Sequence, residues 1–171
     1  FFDKAFAGPD TWVEADEVTA TIQGVITSAD NNYSGLWYYE VEIQDLNTII
    51  GVTETKTNYS QAPGRLATSF GWAIGHNVFI KNGVETPMTK EVSVKVGDVV
   101  GVYLDYVNEK MNVTVNGNVI AYTLPFPTPN NTYYLAFGNY VPTISTTVKV
   151  RFTPESISTV ISSDYQKGWG T

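Results

Sequence analysis

Residues Gly35 to Ile43 read Gly-Leu-Trp-Tyr-Tyr-Glu-Val-Glu-Ile, and this stretch constrains the fold more than any other. After the polar run Asp30-Asn31-Asn32-Tyr33-Ser34, it alternates strictly. Trp37, Tyr39, Val41 and Ile43 fall on one face; Tyr38, Glu40 and Glu42 fall on the other. A period of two over this length predicts a strand with one buried face. Its aromatic load predicts that the strand runs through the middle of a core.

The same alternation recurs along the chain. Val18, Ala20 and Ile22 alternate with Thr19, Thr21 and Gln23. Ile49-Ile50-Gly51-Val52 is wholly apolar, as expected of a strand covered on both sides. Ser69 to Gly75 and Val78 to Lys81 follow, the latter closed by Asn82-Gly83. Asn-Gly supplies the positive φ values of a tight hairpin turn. Val100, Val102 and Leu104 share a face. Met111, Val113 and Val115 answer them on a return strand, and a second Asn-Gly at 116–117 turns the chain again. Pro125, Pro127 and Pro129 interrupt any strand. Tyr133, Leu135 and Phe137 resume the pattern, as do Val148, Val150 and Phe152. The tail is weakly patterned: Ser156 to Ile161 reads as a last strand or one helical turn, with Tyr165 and Trp169 folding back on the body.

No dozen residues carry the i, i+3, i+4, i+7 spacing of a helix, and no longer period repeats. Many short strands with frequent turns predict an all-β, two-sheet antiparallel sandwich. The 171 residues suffice for one domain with a substantial core, so residues 1–171 are expected to form a single unit, with 1–34 and 153–171 as flanking strands or tails. Because Phe1 is not a methionine, the chain is read as a fragment or a processed product.

Charge excludes some partners. The net charge is −7, and ten Lys and Arg residues are scattered rather than striped. Phosphate neutralisation needs clustered cations, which argues against nucleic acid and anionic membranes. No apolar run approaches the roughly 18 residues of a membrane span, so no membrane insertion is expected. Without cysteine there is no disulfide framework and no thiolate chemistry.

The order of these pieces resembles the SPRY domain family, within the wider concanavalin-like jelly rolls. Gly35 to Ile43 is similar to the family's G-x-W-Y-[FY]-E-V-E strand, and Ile50-Gly51-Val52 to its I-G-[WV] strand. Ser69-Phe70-Gly71-Trp72 and Lys81-Asn82-Gly83 look like the next strand and turn. Val96 to Asp105 resembles G-D-V-I-G-x-x-L-D, Met111 to Gly117 resembles I-x-F-x-x-N-G, and Val148 to Phe152 resembles the closing V-x-V-N-F, with Arg151 in place of the usual Asn. These blocks lie within residues 35–152. Residues 1–34 show no clear PRY half. The resemblance implies two packed antiparallel sheets, no enzymatic activity, and binding of protein partners through loops at one edge.

From loop position and aromatic content, the expected binding loops are Thr53–Pro63, Gly75–Phe79, Tyr106–Glu109, Phe126–Thr132 and Asn139–Ser145. The candidate residues are Tyr33, Thr53, Asn58, Tyr59, His76, Asn77, Tyr106, Phe126 and Tyr140. Exposed aromatics on rigidly held loops are typical of binding sites, and equally common as anchors packed onto the sandwich. Trp37 and Trp72 are expected in the core.

Other motifs carry less. Glu40 and Glu42 lie roughly 7 Å apart on one strand face. They read as solvent-facing residues, against a rival reading as the acid and nucleophile of a concanavalin-like glycoside hydrolase. Asp30 to Gly35 mimics a calcium loop, but the position needing Glu is Val41, so Asp30 to Ser34 is expected to be a polar turn. His76 is the only histidine, too few for a zinc site. No catalytic residue, metal or cofactor is therefore expected. Asn32, Asn58, Asn112 and Asn130 begin N-x-[ST] sequences, which matter only in a secretory setting.

The expectation is a non-enzymatic recognition module for a protein or cell-surface glycan. A virion or extracellular setting is favoured, since the Cys-free, Asn/Thr/Tyr-rich acidic surface and missing PRY half look like SPRY modules of phage tails used in host attachment or decoration. The third reading is a structural fibre domain whose partners are copies of itself.

Overall fold

The structure is a computed structural model. It describes residues 1–171 except 5–6, 8–9, 17, 33, 55–60, 66–67, 89–91, 126–131, 158 and 170–171, with the backbone alone at 30–32 and 120–125. Its strands in chain order are β1 (Trp12–Val13), β2 (Thr19–Ile22), β3 (Val25–Asn32), β4 (Leu36–Ile43), β5 (Thr48–Thr53), β6 (Ser69–Ala73), β7 (Val78–Lys81), β8 (Val84–Pro87), β9 (Val99–Asp105), β10 (Lys110–Val115), β11 (Asn118–Pro125), β12 (Tyr133–Asn139), β13 (Thr146–Arg151) and β14 (Gln166–Lys167).

Two sheets pack face to face. An eight-stranded sheet runs β1-β2-β13-β4-β9-β10-β11, with β14 pairing beside β4; a six-stranded sheet runs β3-β12-β5-β6-β7-β8. All pairs are antiparallel except β14 with β4. The Gly35–Ile43 stretch becomes β4, held between β13 and β9. Its inward residues Trp37, Tyr39, Val41 and Ile43 join one core cluster with Ile50, Phe70, Trp72, Val102, Leu135 and Phe137. Burying such side chains is the main source of stability in a chain without disulfides.

Two expectations are corrected. Asp30 to Ser34 is not simply a turn: β3 continues through Asn32, because Tyr133 and Tyr134 of β12 pair with Asn32 and Asn31. The second face of β4 is not open to solvent either. Tyr38 is 1% exposed and Glu40 0%. Tyr38 lies against Tyr103 at 4.5 Å between centroids, and Tyr165 of the tail meets Tyr103 edge-on at 4.9 Å. Opposite Glu40 stands Gly101; a Cβ there would collide with the Tyr38 ring and the Thr114 hydroxyl.

Both flanks pack onto the body. Phe2 bridges to Ser28 at the β3 edge and its ring meets Phe137 and Phe152 edge-on. The tail makes a short 3-10 turn at Pro154–Ser156 and then β14. The Gly168 N–H donates to Tyr38 C=O at 2.7 Å and the Trp169 N–H to Phe152 C=O at 2.8 Å. Trp169 thereby seats its indole against Trp37 and Tyr39.

Candidate functional site

The site is built on the outer face of the six-stranded sheet. β5 is buried along its whole length, as its unbroken apolar run predicts. The cover is the segment Ala62-Pro63-Gly64, itself buried. Ala62 packs with Ile49, Ala73 and Ile80 in a small second cluster. Glycine makes the approach close enough: a Cβ on Gly138 would lie 2.7 Å from Pro63 Cδ and 2.8 Å from Ala62 Cβ.

Between this segment and the loop after β12 lies a cleft of about 420 Å³, lined by Gln23, Gln61, Arg65, Asn139, Tyr140 and Pro142 among others. Asn139 shapes one wall. It is 3% exposed, accepts the Gly24 N–H at 2.9 Å, and donates to the carbonyls of Val141, Pro142 and Ile144. One amide thus ties three carbonyls of the turn together, sharing its two N–H donors among them. Asn47 supports the same turn: its Oδ1 accepts the Val141 N–H and its Nδ2 donates to Ile144 C=O. Gln23 Nε2 donates to Pro142 C=O across the cleft.

The rim is aromatic and charged. Tyr140 donates its hydroxyl to Glu85 Oε2 at 3.0 Å. Arg65 pairs with Glu85 at 2.8 Å and sits over the Tyr140 ring at 5.6 Å. On the ring's flank lies His76, stacked at 3.9 Å between centroids. Partial burial raises the Tyr140 pKa, and the hydrogen bond to Glu85 adds to the rise. Tyr140 is therefore held as a neutral donor on a half-buried aromatic body, presented beside a guanidinium. Such a rim suits polar and apolar contacts from one ligand.

The structure divides the predicted residues. His76, Asn77 and Tyr140 lie at one end of the sandwich. Asn77 is framework there: at φ 50° its Oδ1 accepts the Val92 N–H and its C=O accepts the Met88 N–H. Thr53 and Tyr106 lie at the other end. Thr53 is 3% exposed, paired between Ser69 and Tyr134 within the sheet. Tyr106 packs half-buried against the core, near Tyr133. Tyr33, Asn58, Tyr59 and Phe126 lie outside the described residues.

Arg65, Glu85 and Gln23 were not legible as site residues. Arg65 follows Pro63-Gly64, and it is one of only two arginines; an arginine beside a Pro-Gly turn was the available signal. Gln23 closes an ordinary alternating run and Glu85 follows the Asn82-Gly83 turn, and only the pairing of strands brings them here.

The carboxylates of β4 face the opposite side of the molecule. Glu40 accepts the Tyr38 hydroxyl at 3.0 Å and is paired with Arg151 at 2.6 Å. Glu42 pairs with Lys149 at 3.1 Å and Arg151 at 3.4 Å. Burial would raise the Glu42 pKa, but the hydrogen bond from Lys149 and the charge of Arg151 outweigh it and bring it below its ordinary value. The expectation that both face solvent is corrected: Glu40 is sealed and ion-paired. A general acid needs access to substrate and a raised pKa, and neither residue has both.

The family model described as SPRY domain matches residues 36–155. Among solved structures, the SPRY domain of human HERC1 superposes with a TM-score of 0.70 at 17% identity, covering 88% of this chain and 96% of that one. The TRIM65 PSpry domain gives 0.69 at 15% identity, covering 89% and 88%. A human SPRY domain gives 0.54 at 16% identity, covering 88% and 96%. No curated protein sequence matches.

Proposed function

As the chain belongs to the SPRY domain family, we propose that it is a non-enzymatic recognition module, and that it holds a protein partner in the cleft between Ala62–Arg65 and Asn139–Pro142. The observation that carries this is the rim: Tyr140 pinned by Glu85, flanked by Arg65 and His76, on loops held by a rigid sheet. Aromatic and arginine side chains at a preformed concavity are the usual anchors of protein recognition. A displayed random-peptide library selected on the chain tests the reading. Selected peptides should lose at least tenfold in affinity to Tyr140→Ala and to Arg65→Ala. Undiminished binding to both variants would remove the cleft from the proposal.

The proposed setting is a virion or the extracellular space, as a host-attachment or decoration module. Support comes from composition: no cysteine, net charge −7, and abundant Asn, Thr and Tyr. Detection of the chain by mass spectrometry in purified particles tests this, and recovery only from host cytoplasm would overturn it. A fibre role, with copies of the chain as partners, predicts a stable trimer in solution. The glycan part of the expectation finds its support on a different surface, opposite the cleft.

A further inference from the structure

The outer face of the eight-stranded sheet carries a row of side chains that the cleft does not use. Trp12 stands opposite Thr21, and Thr21 opposite Thr147. The adjacent Val13 and Ala20 turn inward to the core, so Trp12, Thr21 and Thr147 share the outer face. Two strand spacings make the row about 10 Å long. Trp12 is 66% exposed, whereas Trp37, Trp72 and Trp169 are 6%, 0% and 4% exposed. The Thr21 and Thr147 hydroxyls lie 3.2 Å apart, and each keeps a further lone pair.

Along β13 the same face continues from Thr147 to Lys149 and Arg151. With Glu42, Thr153 and Ser156 these help wall a hollow of about 370 Å³. Its charges are matched. Lys149 pairs with Glu42, and Arg151 with Glu42 and the buried Glu40. The surface thus offers a flat indole at one end, hydroxyls in the middle, and donor–acceptor pairs of balanced charge at the other.

The geometry points to a binding surface for a neutral oligosaccharide, distinct from the cleft. A sugar ring's C–H face stacks on an exposed indole, a rigid amphipathic contact of low entropic cost. Sugar hydroxyls both donate and accept, and an ion pair such as Lys149–Glu42 presents a donor and an acceptor side by side. Rival occupants fit less well. Nucleic acid needs surplus cations. An added peptide strand needs an unpaired edge; β2, β13 and β4 are internal strands, and β1, which carries Trp12 at the sheet edge, offers a ladder of only two residues.

The test is an array of immobilised neutral oligosaccharides (glucans, mannans, galactans and chitin fragments) probed with the whole chain. At least one class should bind, and it should blue-shift tryptophan emission, since Trp12 is the exposed indole. Trp12→Ala should lose at least tenfold in affinity while melting like the wild type. Thr147→Val, which keeps the side-chain shape and removes the hydroxyl, should weaken binding severalfold. Arg65→Ala should bind sugar normally, which separates this surface from the cleft. No binding to any class, undiminished binding by both Trp12→Ala and Thr147→Val, or capture of a protein instead of a sugar through Trp12 would each overturn the inference.

Discussion

Arg151 Nη1 lies 2.6 Å from Glu40 Oε2, and the Glu40 side chain has no exposure to solvent. The arginine reaches from β13 across to the middle of β4, at the register where Arg151 stands opposite Glu40. Tyr38 supplies a second donor to the same carboxylate. A buried charge survives only when paired and hydrogen-bonded, and here both conditions are met.

Removing the cation should therefore cost more than removing the charge it serves. Arg151→Met strands a buried carboxylate and should destabilise by about 3 kcal/mol. Glu40→Gln should cost about 1–2 kcal/mol. The double variant should recover part of the larger loss. Urea midpoints of the three proteins measure this; an Arg151→Met midpoint equal to wild type would show that Glu40 does not depend on the pair.

Acid should weaken the same face through Glu42. Its folded pKa lies below the ordinary 4.5. Its contribution is thus fully present above about pH 4.5 and is lost as pH falls through the lower, folded value. Glu42→Gln should flatten that part of the stability-against-pH curve by lowering the neutral plateau, and leave stability at the acid end, where Glu42 is protonated, nearly unchanged. A curve of unaltered steepness below pH 4.5 would count against the Lys149 and Arg151 pairing.

A methyl group at residue 138 should open the cleft from beneath. Its Cβ would meet Gly24 O at 2.6 Å, Pro63 Cδ at 2.7 Å and Ala62 Cβ at 2.8 Å. Gly138→Ala should destabilise by about 1–3 kcal/mol and raise hydrogen exchange in residues 62–65. Protection that stays at the wild-type level would show that the segment does not rest on the glycine.

Tyr39 offers the opposite case. It is wholly buried, and its hydroxyl has no hydrogen-bond partner among the described residues. Burial raises its pKa far above the ordinary tyrosine value. Tyr39→Phe should be neutral or stabilising by up to about 1 kcal/mol, read as a higher melting temperature. A clear loss would reveal a partner for the hydroxyl.

The tail should behave as part of the core. Trp169→Ala removes an indole that is 4% exposed and packed on Trp37 and Tyr39. The expected cost is about 3 kcal/mol or more, measured by urea unfolding followed through circular dichroism. A loss under about 1 kcal/mol would make the tail an accessory.

Much of this was written in local pattern. Alternation exposed the course of β4, β9 and β12, and the two Asn-Gly turns placed their hairpins, because period and turn chemistry are properties of neighbouring residues. His76 and Tyr140 were legible as loop residues for the same reason. Their stacking was not, since it depends on two hairpins meeting at one end of the sandwich. The far end of β3 was not legible because Asp30, Asn31 and Asn32 are poor strand formers, and pairing of Asn31 and Asn32 with β12 overrides that preference. The polar face of β4 misled because alternation predicts a polar side, not what lies over it. Tyr103, Arg151 and the tail cover that side, and they come from elements remote in sequence.

By itself, then, the sequence determined the class of fold, the family, and the inward face of the central strand, all of which follow from short-range periodicity and ordered motifs. Only the tertiary structure decided which polar residues became partners. It sealed Glu40 behind Arg151, gathered Arg65, Glu85, His76 and Tyr140 around one cleft, and left Trp12 alone of the tryptophans facing water. Those outcomes depend on sheet order and register, in which residues more than a hundred positions apart become neighbours, as Glu40 and Arg151 do.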